Sequence, residues 1–178
     1  MALTNNPMST IRIPRILSAV YGQPWAVLPP TLNAIVETVN RYATNRADVT
    51  VNSEDDQDED MVTRQIVGNV GMVLVQGIIG SHLSSLETDC GGYDLDTFTE
   101  DMDAMAKDSR AECVLLVMRT PGGCVTGVPE AASIVANYPK SVFALTDNQC
   151  ASAGYWIASQ AQEVWLTPSS EVGSVGVY

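Results

Sequence analysis

Residues 113–146 read CVLLVMRTPGGCVTGVPEAASIVANYPKSVFALT, and this stretch decides the fold. It opens on an unbroken apolar run, Cys113 to Met118, with none of the polar alternation of a strand that turns one face to water. Such a run is expected of a strand covered on both faces in a parallel sheet. It closes on Val142 to Thr146 (VFALT), a second strand candidate. Between them a helix is expected through Val125 to Asn137, with Pro129 near the first turn, where a missing N–H costs little. Strand, helix, strand in so short a span is the β-α-β unit, whose crossover is right-handed and whose strands run parallel.

The same alternation continues on both sides. Upstream, Val70 to Ile79 (VGMVLVQGII) is a strand candidate ending at Gly80, and Asp94 to Lys107 carries Leu95, Phe98, Met102 and Met105 on one helical face. Downstream, Ala151 to Ala161 reads as a helix and Val164 to Thr167 (VWLT) as a strand. The order is β-α-β-α-β-α-β, an α/β domain with a mainly parallel sheet over 66–178. Ahead of it, residues 1 to about 30 are punctuated by prolines, and Thr31 to Tyr42 shows Leu32, Ile35, Val36 and Val39 at helical spacing behind Thr31 as N-cap. Residues 1–50 are therefore expected to form a small helical preface, and 51–65 an acidic linker.

Composition narrows the function. A chain of 178 residues with 46% hydrophobic content can bury one good core. Its formal charge of −12 repels nucleic-acid phosphate, and its 9 Lys and Arg residues are scattered, so nucleic acid is not an expected partner. Six of the acids, Glu54, Asp55, Asp56, Asp58, Glu59 and Asp60, crowd one solvated segment; without them the charge is −6, an ordinary soluble surface. Cys90, Cys113, Cys124 and Cys150 lie far apart with no C-x-x-C pair, which disfavours zinc and fits small buried hydrophobes in a reducing compartment. Pro14, Pro24, Pro29 and Pro30 interrupt the N-terminus, and no apolar stretch approaches the ~20 residues of a membrane helix. The expectation is a soluble, cytoplasmic protein with no membrane partner. No metal or organic cofactor is called for, since no ligand cluster or phosphate loop appears.

Two glycine-bearing corners follow apolar strands. In Arg119-Thr120-Pro121-Gly122-Gly123 the proline fixes entry into a turn, and the glycines permit backbone conformations closed to other residues. The corner can aim amide N–H groups at a ligand, or it is a tight β-to-α turn and nothing more. In Ala151-Ser152-Ala153-Gly154-Tyr155-Trp156, small residues flank a serine at a strand-to-helix transition. An elbow there exposes the hydroxyl, with the Ala153 amide at a helix N-terminus; the plainer alternative is a serine N-cap. The G-x-S-x-G elbow of α/β-hydrolases is absent. Strand ends of a parallel sheet share one edge, so both corners can face one crevice. A hydroxyl and two amides are the minimum apparatus of acyl transfer, lacking a base.

The run TPGG at 120–123, then ASAGYW at 151–156, then PSSEVGSVGVY at 168–178 resembles the signal peptide peptidase A family of serine peptidases, most closely its bacteriophage branch of head maturation or capsid-assembly proteases. GIIGSH at 77–82 fits as well, and PWAVLPPTLNAIVETV at 24–39 loosely resembles the preface of the phage branch. The resemblance covers about 66 to 178. It implies a Clp/crotonase-like spiral of β-α-β units and a Ser/Lys dyad, in which Ser152 attacks the peptide carbonyl and a lysine kept neutral in an apolar pocket takes its proton. It implies an oxyanion hole made by the amides of Gly123 and Ala153, with Pro121 and Gly122 shaping the supporting turn. It also implies scaffold and capsid proteins as substrates, a homo-oligomer, and the host cytoplasm or phage prohead as location.

The sequence departs from the family pattern in two places. The usual Asp-Ser before Pro-Gly-Gly is Arg119-Thr120, and the usual glycine after the serine is Ala153. Alanine still provides the amide; the arginine needs a partner, for which a loop acid suffices. The base is the larger departure. Lys107 and Lys140 do not match the family's lysine, which lies several tens of residues after the serine and is expected beyond Tyr178 or from another subunit. The one histidine, His82, lies upstream of Ser152, whereas Clp proteases place theirs downstream, and it reads as a loop histidine. Alternatives are a non-catalytic assembly module of the same fold, a cellular signal peptide peptidase, and a crotonase-type acyl-CoA enzyme. A modest hydrophobic slot is expected around Val125 and Tyr155 to Ile157.

Overall fold

The computed structural model describes residues 25–27, 33, 36, 63–84, 87–88 and 91–176. Asn33 and Val36 are helical, in keeping with the helix expected over 31–42; the rest of that helix, the acidic segment 52–60 and Cys90 lie outside the described residues.

The apolar runs form strands close to where periodicity places them, but each ends early and turns. Strand β3 (Val70–Gln76) is parallel to β6 (Cys113–Arg119), β6 to β8 (Ser141–Thr146), and β8 to β10 (Glu163–Leu166), while β2 (Arg64–Val67) closes the far edge antiparallel to β3. The order of this five-stranded sheet is β10-β8-β6-β3-β2. Within a few residues of its end, each parallel strand contributes a three-residue strand to a second layer. These are β4 (Ile78–Gly80), β7 (Gly122–Cys124), β9 (Gln149–Ala151) and β11 (Glu171–Gly173). In that layer β4 lies parallel to β7 and to β5 (Gly92–Asp94), β11 lies parallel to β9, and a single parallel bridge, Thr120 to Cys150, joins the two pairs. Helices α1 (Leu95–Lys107), α2 (Val128–Ala136) and α3 (Ala153–Ala158) return the chain to the next long strand. Each turn of the chain thus lays down a long strand, a short strand and a helix, which is the spiral of β-α-β units expected of the α/β class.

The short strands are the main difference from the sequence reading. The strand expected over 70–79 is two strands broken at Gly77, whose φ of 105° is a glycine conformation. The helix expected over 151–161 spans only 153–158, because Ala151 belongs to β9. Residues 25–27, within the proline-punctuated part of the expected helical preface, form strand β1 (Trp25–Val27) antiparallel to β7.

The core lies between the helices and one face of the five-stranded sheet, where Val73, Val75, Val114, Leu116, Met118, Val142 and Ala144 point inward. Helix α1 adds Leu95, Phe98, Met102 and Met105, the stripe read from its spacing. Complete burial of Phe98 and Met102 stabilises by about 1.5–3 kcal/mol each. Asp94 caps α1 by accepting from the Asp96 N–H, and Lys140 Nζ closes its other end by donating to the carbonyls of Met105 and Asp108 at 2.6 and 2.7 Å. The alternate residues Met72, Leu74, Leu115, Val117, Phe143 and Leu145 are only half-buried, so among the described residues the sheet is fully covered on one face, not two as the apolar runs imply.

Candidate active site

Three loops meet where the long strands give way to the short ones, and backbone hydrogen bonds stitch them together. Thr120 N–H donates to Gln149 O at 2.7 Å and Thr120 O accepts from Ala151 N–H at 3.0 Å, binding the TPGG corner to the strand that leads into the serine. Ser152 N–H donates to Gly173 O at 2.7 Å, which binds the serine to β11. The motifs at 120–123, 151–156 and 168–176 therefore form one junction, with Ser152 at its centre.

Ser152 does not behave as a capping serine. It precedes α3 in the N-cap position, yet its side chain makes no capping hydrogen bond, and Oγ has no hydrogen-bond partner among the described residues. The residue is 6% exposed, with φ 53° and ψ −114°, a region that non-glycine residues enter at a cost of about 1–3 kcal/mol. The strand-to-helix elbow expected from the sequence is present, with a strained backbone, but Oγ is buried where the sequence reading expects it exposed. The hydrogen bonds on either side, Ser152 N–H to Gly173 and Trp156 N–H to Ser152 O at 2.8 Å, hold that conformation.

Ala153, fully buried, is the first residue of α3, where amide N–H groups have no partner within the helix. Gly154 allows α3 to sit on the TPGG strand: a Cβ built there would stand 2.3 Å from Thr120 Cγ2. Gly123 is equally confined, since its Cβ would come within 1.9 Å of Ile79 O, so only glycine lets β7 approach β4. Gly122, at φ 102°, donates its N–H to Thr120 Oγ1 at 3.1 Å. Thr120, Pro121 and Gly122 are thereby a tight hydroxyl-anchored turn, with Thr120 wholly buried. The sequence reading takes Thr120 as part of the TPGG run and as a departure from the family pattern, without assigning it the anchoring role, and does not find Gly173 as the acceptor for Ser152. A threonine directly before Pro-Gly-Gly was the available signal for the first; nothing local marks the second, because β11 lies about twenty residues downstream.

The remaining candidates have ordinary roles. Arg119 forms a two-pronged ion pair with Asp147, Nε to Oδ1 at 2.8 Å and Nη2 to Oδ2 at 2.6 Å, the loop acid that the sequence left unnamed. The guanidinium holds the Asp147 carboxyl below its usual range. His82, with its side chain 79% exposed, shares a hydrogen bond of 2.6 Å with Asp96. Lys107 pairs with Asp103, and Lys140 caps α1, so both lysines of the sequence are engaged away from Ser152. Cys150 is buried next to the elbow, and burial pushes its thiol up to about 12, which keeps it in the unreactive thiol form. Among the described residues, Cys113 and Cys150 are not linked by a disulfide. Ile157 is part of the core, so it cannot line the expected slot; Val125 and Tyr155 are half-buried against the core. Among the described residues no group of acids, histidines and cysteines is arranged to hold a metal, and no helix is long and apolar enough to cross a membrane.

Residues 136–178 match the model of Peptidase family S49. The chain is 29% identical over 133 residues to Capsid assembly protease C of Escherichia phage lambda, across 74% of this chain and 30% of that protein. It is 26% identical over 115 residues to Head-tail preconnector protein GP5 of Enterobacteria phage P21, across 64% of this chain and 23% of that protein. A shorter match, 31% identical over 72 residues, is to Membrane protein NfeD1b of Bacillus subtilis (strain 168), across 40% of this chain and 16% of that protein. The chain thus spans less than a third of each of these relatives. A solved structure of an enoyl-CoA hydratase/isomerase family member superposes with a TM-score of 0.48 at 19% identity, covering 62% of this chain and 48% of that one. The motifs ASAGYW and PSSEVGSVGVY lie within the residues that match the Peptidase family S49 model, and over a wider span the chain is similar to a phage capsid assembly protease and a phage head-tail preconnector protein.

Proposed function

We propose that the chain is the nucleophile-bearing part of a serine endopeptidase that processes scaffold and capsid proteins during phage head maturation. The observation that carries this reading is the Ser152 elbow, a strained and uncapped serine with a buried hydroxyl, tied on both sides to the other two family motifs. The family match and the phage relatives support a peptidase of that setting.

In the proposed reaction, Ser152 Oγ attacks the substrate carbonyl carbon while its proton passes to a neutral lysine amine. The carbonyl oxygen becomes an oxyanion between the amides of Gly123 and Ala153. Collapse of the tetrahedral species breaks the C–N bond, the lysine returns its proton to the leaving amine, and water then releases the acyl group by the same steps. Lys107 and Lys140 are engaged elsewhere, so the lysine is proposed to come from sequence C-terminal to Tyr178 or from a neighbouring copy in a homo-oligomer. The test is cleavage of the cognate scaffold by the protein expressed from the extended reading frame. Loss of cleavage in Ser152→Ala, with unchanged folding, supports the reading; absence of any lysine in that frame whose substitution abolishes cleavage removes the dyad.

The engagement of both lysines also favours a second reading, a non-catalytic assembly module of the same fold. It predicts that the extended protein binds scaffold and leaves it intact.

A further inference from the structure

We infer that Trp25–Val27 occupies the strand position on β7 that an extended substrate would take, so that the candidate active site is closed by a segment of its own chain. The inference rests on Ser152 being the nucleophile, and follows from which edge of β7 is covered. In the five-stranded sheet β3 and β8 flank β6 on opposite sides. Their continuations keep those sides: β4 pairs with β7 on the β3 side, and Cys150 of β9 bridges Thr120 on the β8 side. The second sheet is ordered β1-β7-β4-β5, which puts β1 opposite β4, on the side from which β9 delivers Ser152.

Strand β9 ends at Ala151, so among the described residues the spiral itself supplies no further strand to this edge of β7 beyond the Thr120 to Cys150 bridge. Strand β1 fills it antiparallel, with Val27 opposite Gly122, Ala26 opposite Gly123 and Trp25 opposite Cys124. Val27 is the end nearest the elbow, paired with Gly122, two residues on from the bridge at Thr120. An edge strand beside a nucleophile is the surface on which an extended peptide is held by main-chain hydrogen bonds. Here that surface is taken, and a substrate must displace β1 to lie on it.

The experiment uses the full chain carrying Ser152→Ala, with unfolded casein as the extended-peptide probe, so that binding is read without chemistry. Successive strand N–H groups point to opposite sides, so either Ala26→Pro or Val27→Pro removes one that faces β7. A chain lacking residues 1–30 provides a third release of the edge, and melting curves check that each variant is folded. If β1 is docked in about nine molecules of ten, its release tightens the apparent affinity for casein about tenfold. Amide exchange should quicken in the same variants at whichever of Gly123 and Cys124 turns its N–H toward β1. Two results overturn the inference: exchange that quickens with no gain in casein binding, or exchange that is unchanged in every released variant. A failure of the extended protein to cleave scaffold, alongside tighter casein binding on release, would defeat the peptidase reading and leave the occlusion standing.

Discussion

Gly154 lies against Thr120 so closely that a Cβ on the glycine would stand 2.3 Å from the threonine Cγ2, which couples the helix after the serine to the turn that carries Gly122 and Gly123. The coupling is testable by a double substitution. Gly154→Ala alone overpacks the junction and should cost about 1–3 kcal/mol in denaturant unfolding. Thr120→Ser keeps the oxygen and removes the offending methyl, so the pair Gly154→Ala with Thr120→Ser should recover most of the loss. Simple addition of the two single effects would show that the contact does not govern the junction.

Thr120 also anchors its own turn, since Oγ1 accepts the Gly122 N–H at a buried site. Thr120→Val preserves shape and leaves that N–H with no acceptor, an expected destabilisation of about 1–3 kcal/mol. Thr120→Ser should cost less. The reverse ranking would mean that the methyl, and not the hydroxyl, holds the turn.

Ser152 has a backbone conformation suited to glycine. Replacing it with glycine relieves strain on the order of 1 kcal/mol, so Ser152→Gly should melt about 2–4 °C higher than the parent while losing the hydroxyl. A lower melting temperature would indicate that the side chain contributes more to stability than its strained backbone costs.

The Asp147 carboxyl is held below its usual value by Arg119, so its folded-state pKa is lower than its unfolded one. Stability from this pair is present above the unfolded carboxylate range and is lost as pH falls through the folded value, that is, below about 4. Arg119→Met should move the Asp147 titration, followed by carboxyl NMR, back up to the ordinary range. Both side chains are well exposed, so the change in overall stability near neutral pH should be small.

The alternation of long strands and helices was legible in the sequence because hydrophobic periodicity survives in elements that bury one face, as in Leu95, Phe98, Met102 and Met105 of α1. Ser152, Gly122 and Gly123 stood out only together, since each corner alone also reads as a tight turn or a serine N-cap. The short strands β4, β7, β9 and β11 were not legible. Three residues hold no full period, and their pairing is fixed by the spiral that stacks them. Gly173 was missed for the same reason: its carbonyl reaches Ser152 only after β11 has paired with β9. The half-covered outer sheet face likewise escaped notice, since Leu115 and Val117 are as apolar as the buried Val114 and Leu116 that alternate with them.

The most direct test of the central claim is mass spectrometry of the cognate scaffold incubated with the protein from the extended reading frame, native or carrying Ser152→Ala. Defined scaffold fragments are expected from the native protein and none from Ser152→Ala. The same fragments from Ser152→Ala, formed at a similar rate, would contradict that claim.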